Sequence, residues 1–279
     1  MSALSELPVL GAGLGYREPF RAELFLRPGA IDFLEITADH YLEAPREKLD
    51  ELDLLASQFP LVPHALDLSL GSAEGLDPGY LHQLAQLVNR LDPPWWSEHL
   101  SLTRSGGVEI GHLSPLPFTW QAVEAVCRNV EAARRVIRAP LILENITCPF
   151  VIPGAEMSEA EFLAEIVMRT GCGLLLDVTN LHINSINLGY DAEEALSQLP
   201  LEQVVQLHFA GGHQHGEVLI DSHSHPAPPE VWGLMEVILA RAPVKGIILE
   251  RDEDLPLFSE LALEVQRARL LGRKLGRWD

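Results

Sequence analysis

Eight short apolar runs, each followed by a helical pattern, constrain this 279-residue chain more than any other feature. The runs are Val9–Leu14, Ile31–Ile36, Leu61–His64, Trp95–Leu100, Leu141–Asn145, Gly173–Asp177, Val204–Phe209 and Gly246–Glu250. Helical patterns cover Pro19–Leu26, Pro45–Gln58, Gly79–Leu91, Thr119–Ile137, Ser158–Arg169, Ala192–Leu199, Pro229–Ala240 and Leu255–Leu271. In the fifth, Ser158 with Glu161 makes a capping-box pattern ahead of Phe162, Leu163, Ile166 and Val167. Near-continuous apolar strands alternating with helices mean a parallel sheet covered by helices. Eight such units in one chain of this length predict an α/β fold, the (β/α)8 TIM barrel, as a single domain over residues 1–279. Counting alone leaves a doubly wound open sheet as the alternative.

The ends of the runs favour the barrel. Glu35, His64, Glu98 with His99, Glu144 with Asn145, Asp177 with Asn180 three residues on, His208 and Glu250 stand at or near the ends of seven of the eight runs. An open sheet would spread these ends along a line at about 4.8 Å per strand. A closed barrel gathers them around one mouth, where barrel enzymes keep their active sites. Buried carboxylates and imidazoles need partners, because isolated buried charge is costly, so this ring predicts a metal site.

One stretch adds ligands. Gln206–His225 holds five of the 11 histidines. His208 ends a strand; Asp221 and His223 are separated by one residue and in extended chain would face one point. Such oxygen and nitrogen donors without sulfur outline a metal site. His213, His215 and His225 fall to the rim of the mouth, and the irregular-looking segment His182–Asp191 reads as a loop carrying substrate contacts. Gly11, Gly13 and Gly15 resemble a dinucleotide loop, but Tyr16 occupies the sixth position, so they read as glycines making room inside a barrel. Trp95 and Trp96 read as packing residues, and His82 and His112 as surface residues. Cys148 and Cys172 read as small buried residues.

Composition excludes several classes. A formal charge of −20 disfavours nucleic acid as a partner. The arginines of Arg128–Arg138, and those of Arg267–Arg277 with Lys274, read as solvated helix faces. No apolar run reaches the roughly 18 residues of a membrane helix. The N-terminus lacks a basic segment followed by a long apolar one, so no signal peptide is expected. Three cysteines without a CxxC pair fit a reducing cytoplasm.

The blocks DFLEITADHY (32–41), HALDLSLGS (64–72), SEHLS (97–101), SPLPFT (114–119), ENIT (144–147), RTGCGLLLDVTNLHIN (169–184), QLHFAGGH (206–213), LIDSHSHP (219–226) and ILERD (248–252) together resemble the multinuclear non-haem iron-dependent oxidative enzymes, the bacterial family containing the methanobactin-biosynthesis oxidase. The resemblance implies a TIM barrel holding two or three iron ions and using O2. It implies His64 and His99 as imidazole ligands, Glu144 as a bridging carboxylate, and Asp177, Asn180, His208, Asp221, His223 and Glu250 as the remaining ligands. His182, His213 and His215 would touch substrate. Relatives of this kind oxidise cysteine side chains of ribosomally made precursor peptides, some with a separate protein that holds the peptide leader. The ligand order is also similar to that of barrel-type abasic-site endonucleases, which implies the alternative of a zinc- or manganese-dependent hydrolase or isomerase. Asp39-His40-Tyr41, Asp67, Asp177-Val-Thr-Asn180 and Leu188-Gly-Tyr-Asp191 depart from the more usual family pattern.

Overall fold

The structure is a computed structural model that describes residues 3–279. Strands β1 (Gly11–Gly15), β2 (Leu34–Thr37), β3 (Leu61–Ala65) and β4 (Trp96–His99) come first. Strands β5 (Leu102–Ser105) and β6 (Val108–Ser114) form a hairpin. Then come β7 (Leu141–Glu144), β8 (Gly173–Asp177) and β9 (Val204–Phe209), a second hairpin of β10 (Gly211–His215) and β11 (Val218–His225), and finally β12 (Gly246–Leu249). The eight strands outside the hairpins close into a barrel in the order β1-β2-β3-β4-β7-β8-β9-β12, and every neighbour pair is parallel.

Helices cover the outside. α1 (Arg21–Leu26), α2 (Arg46–Ala56) and α3 (Pro78–Leu91) follow the first three strands. α4 (Trp120–Val136) follows the first hairpin, and α5 (Glu159–Thr170) follows β7. α6 (Val178–Leu188) and α7 (Ala192–Gln198) both follow β8; α8 (Pro229–Arg241) follows the second hairpin, and α9 (Phe258–Lys274) follows β12. The capping box opening α5 is present, with Ser158 and Glu161 exchanging both hydrogen bonds.

Two cores result. The larger lies between sheet and helices. The smaller plugs the lower end of the lumen with Leu4, Phe33, Val62, Trp95, Ile142, Leu175, Val205 and Ile248. Successive residues of a strand face opposite ways, so for five of these plug residues the residue two positions on points into the lumen one layer higher. Those residues are Glu35 after Phe33, His64 after Val62, Glu144 after Ile142, Asp177 after Leu175 and Glu250 after Ile248. The middle layer contains Gln206, which accepts from the indole Nε1 of Trp95 at 2.8 Å and donates to Glu35 at 2.6 Å. Gly13 is required by this crowding: a Cβ there would lie 2.5 Å from the Phe33 carbonyl oxygen and 2.7 Å from Ile248.

Two sequence expectations need correction, and both hairpins are additions, in stretches assigned to neither a strand run nor a helical pattern. The segment His182–Asp191 is not a loop over most of its length, because α6 runs to Leu188. Arg269 is not on a solvated face; it is buried and pairs with Asp32 through two hydrogen bonds of 2.9 Å, tying α9 to the start of β2. Among the described residues no helix is long and apolar enough to cross a membrane.

Candidate metal centre

The upper ends of the strands place a ring of buried donors in the lumen. Ligand atoms of His64, His99 and Glu144 lie within 4.8 Å of one another, as do those of Glu144, Asp177, His208 and Glu250. Glu144 belongs to both groups. Its Oε2 is 3.3 Å from Nε2 of His64 and 3.3 Å from Nε2 of His99, and its Oε1 is 3.2 Å from Nδ1 of His208. Its two oxygens therefore face two different sets of donors, the arrangement a bridging carboxylate needs.

The second hairpin brings the rest. Asp221 and His223 sit on β11, with Oδ1 and Nε2 2.8 Å apart. His223 reaches this position with a left-handed backbone, φ +48°, not the regular pleat expected from the i, i+2 spacing. Its Nδ1 lies 3.6 Å from Glu250. Asn180, on the first turn of α6, is anchored through its Nδ2 to the Asn145 carbonyl at 3.0 Å. Asp177 caps that helix by accepting from the Asn180 backbone at 2.7 Å.

Each imidazole is held by one nitrogen, leaving the other for the cluster. Nδ1 of His64 meets the Ser97 hydroxyl at 2.8 Å, and Nδ1 of His99 meets the Ala65 carbonyl at 3.2 Å. Nε2 of His208 meets Glu35 at 2.8 Å, and Nδ1 of His223 meets Asp252 at 2.8 Å, with Arg17 paired behind Asp252. Glu35, Ser97 and Asp252 are thus supporting residues that were absent from the ligand reading. Their signal is local: Ser97 precedes His99 by two positions on β4, and Asp252 follows Glu250 by two positions.

The cluster's electrostatics call for a cation. Burial alone would push the Glu144 carboxyl up; the imidazoles of His208, His99 and His64 outweigh it and hold the group below its ordinary range. Glu250 behaves likewise through His208 and His223. Burial, with Asp221 and Glu144 nearby, pushes Asp177 up to about 8. His208 and His223 are raised well above the ordinary imidazole range, because Glu250 and other carboxylates overcome their burial. Protons on imidazoles, with the Arg17 guanidinium at the wall, are counter-charges for this group of carboxylates among the described residues. A divalent or trivalent ion would replace those protons.

The donor set fits such an ion. Glu144 Oε2, Asp177 Oδ2, Asn180 Oδ1, Asp221 Oδ1 and His223 Nε2 are buried and make no hydrogen bond of good geometry among the described residues; Asp221 Oδ1 and His223 Nε2 face each other at 2.8 Å, and Glu144 Oε2 faces the two imidazoles at 3.3 Å. Unmatched buried acceptors are rare and costly, on the order of 1–3 kcal/mol each. Asp177 Oδ2 and Asn180 Oδ1 are left unmatched, and the other three atoms face only fellow ligand candidates, as in a coordination site. A cavity of about 490 Å3 lies over them, walled by Arg17, Thr37, His40, Leu66 and Leu113 besides the cluster. His182, half-buried on α6, and the exposed His213 and His215 of β10 are not on that wall. Cys148 is buried, also off the wall, and burial pushes its thiol up to about 12.

Comparison with known proteins follows the same lines. The model of the RiPP precursor modification enzymes MbnB/TglH/ChrH matches residues 11–273. The UPF0276 protein of Caulobacter vibrioides is 37% identical over 263 residues, covering 94% of each chain. That of Rhizorhabdus wittichii is 38% identical over 260 residues, covering 92% of this chain and 93% of its own. Among solved structures, D-psicose 3-epimerase with D-tagatose from Clostridium cellulolyticum H10 superposes with a TM-score of 0.57 at 14% identity, covering 94% and 95% of the two chains. The IOLI protein with a bound zinc atom gives 0.55 at 14%, covering 94% and 92%. At such identities the structures share the barrel fold.

Proposed function

The chain belongs to the MbnB/TglH/ChrH family of RiPP precursor modification enzymes, and from that premise we propose that it holds two or three iron ions and uses O2 to oxidise a cysteine side chain of a ribosomally made precursor peptide. The observation that carries this reading is the buried set of carboxylate, amide and imidazole atoms centred on Glu144, which face one another and, for Asp177 Oδ2 and Asn180 Oδ1, no hydrogen-bond partner. Iron bound there would supply reversible one-electron chemistry and open positions for O2 and a thiolate. The chain's own part is positional. Glu144 would hold the two halves of the site together through its separate oxygens. Ser97, Ala65, Glu35 and Asp252 fix the ring orientations of the four histidines. The narrow lumen beneath is sealed by Trp95 and its neighbours, so substrate and O2 enter from the mouth alone. We place the enzyme in the cytoplasm, acting with or without a separate leader-binding protein.

The test uses protein purified without oxygen from iron-supplemented cells. At least two irons per chain, and an O2-dependent mass change in a cysteine-bearing precursor peptide, are expected. Less than one iron per chain that cannot be restored, or undiminished activity with zinc, would contradict the reading. A second reading has one observation in its favour. Glu144, Asp177, Glu250 and His208 form an oxygen-rich half-site that also suits manganese, and the superposable structures include enzymes named as sugar epimerases. Isomerisation of a ketose by the manganese form, lost in Glu144→Ala, would establish it.

A further inference from the structure

The cavity over the cluster does not end at its own wall. Arg17, Thr37 and His40 line it on one side and on the other line a second cavity of about 820 Å3. Thr37 lies at the end of β2 directly beside His64 on β3, so the shared wall starts at the candidate ligands. His40 belongs to the short turn after β2, and Arg17 follows β1. The second cavity runs outward over α2. Its floor is aromatic, made by the buried rings of Tyr16 and Tyr41. Its outer wall carries Leu54, 54% exposed, and Lys48, whose ammonium lies 5.2 Å over the Tyr41 ring. Among the described residues Lys48 has no carboxylate partner. It is a cation held in place by a ring and open to a ligand.

Each cavity alone matches the roughly 300–1,000 Å3 that holds one small ligand; the two together exceed it. A small substrate would occupy the space over the cluster and leave the second space idle. A polypeptide whose one side chain reaches the cluster must lead its flanking residues out of the mouth, and the second cavity adjoins the first across Arg17, Thr37 and His40. Its mixed surface, aromatic floor with a charged rim, suits backbone and varied side chains. The second hairpin borders the cluster cavity through Asp221 and His223, while its exposed His213 and His215 lie off that wall.

We infer that the groove between the β1–α1 and β2–α2 connections, passing Arg17, Thr37 and His40 to Tyr41, Lys48 and Leu54, binds the stretch of peptide adjoining the modified residue. This rests on the peptide-thiol reading above, and the experiment separates the two. The iron-loaded protein is titrated with 2-mercaptoethanol and with a nine-residue peptide carrying one central cysteine, following thiolate-to-iron absorbance. Leu54→Trp narrows the groove at an exposed position the fold tolerates, and Lys48→Glu reverses the cation at its rim. Wild type is expected to bind the peptide more tightly than the small thiol. Both variants should weaken the peptide by about tenfold and leave 2-mercaptoethanol unchanged. A benzophenone two residues from the cysteine should label residues 37–54. Unchanged peptide affinity in both variants, or labelling confined to residues 211–225, overturns the groove and spares the thiol reading. Absence of the absorbance with either probe in wild type overturns both.

Discussion

The two ends of the barrel lumen are built from the same strands and obey opposite rules. At the lower end Phe33, Val62, Ile142, Leu175 and Ile248 are buried and apolar. Two residues further along the same strands stand Glu35, His64, Glu144, Asp177 and Glu250, equally buried and ionisable. The lower layer is stabilising at about 25 cal/mol per Å2 of apolar surface removed from water. The upper layer carries unmatched acceptors that cost free energy until something binds them. A barrel can carry such a layer because the plug and the helix-covered outer core hold the strands in place beneath it. Stability resides in the lower end and chemistry in the upper, a separation of only two residues.

Mutations should separate the layers. Ile142→Ala is expected to cost about 2–5 kcal/mol in unfolding free energy while keeping the metal stoichiometry, measured by denaturant titration and metal analysis. Glu144→Ala, two positions on, should do the reverse: metal content falls in both halves of the site with little loss of folding. Retention of full metal by Glu144→Ala would join the layers again.

The metal-free protein should also show the upper layer's cost through pH. Asp177 is raised to about 8, chiefly by burial and then by Asp221 and Glu144, against about 3.9 in unfolded chain. The folded state therefore binds this proton more tightly. Its contribution to stability is complete below about pH 4 and is lost as pH rises from there through about 8. Asp177→Asn should flatten that slope in metal-free protein, and metal loading at neutral pH should release the proton. An unchanged slope would remove Asp177 from the account. A smaller effect is expected from Glu35→Ala, which frees Nε2 of His208 and should weaken metal binding about 10–100-fold. Least of all, His215→Ala should alter stability by no more than about 0.5 kcal/mol and leave metal content unchanged, since the residue is exposed on β10.

Much of this was legible in the sequence, and the exceptions have physical causes. The eight barrel strands were readable because buried parallel strands are continuously apolar. Helix α6 was not, because it buries Thr179, Asn180, Asn184 and Ser185. Asn184 donates to the Ile146 carbonyl and Thr179 to that of Ala210, so this helix is packed through polar contacts and lacks an apolar stripe. The first hairpin did leave a signal: Gly106 and Gly107, both with positive φ, make the kind of two-glycine turn that joins antiparallel strands. Ligand candidates were readable from residue type at strand ends. Which ring nitrogen faces the cluster was not, because that depends on Ser97, Glu35 and Asp252 reaching across from other positions in the fold.

The most direct test is anomalous scattering at the iron edge from crystals of the iron-loaded protein. Separate peaks are expected on the two sides of Glu144, one toward His64 and His99 and one toward Asp177, His208 and Glu250. A single peak that leaves one side of Glu144 empty, or scattering at the exposed histidines of the second hairpin instead, would contradict this.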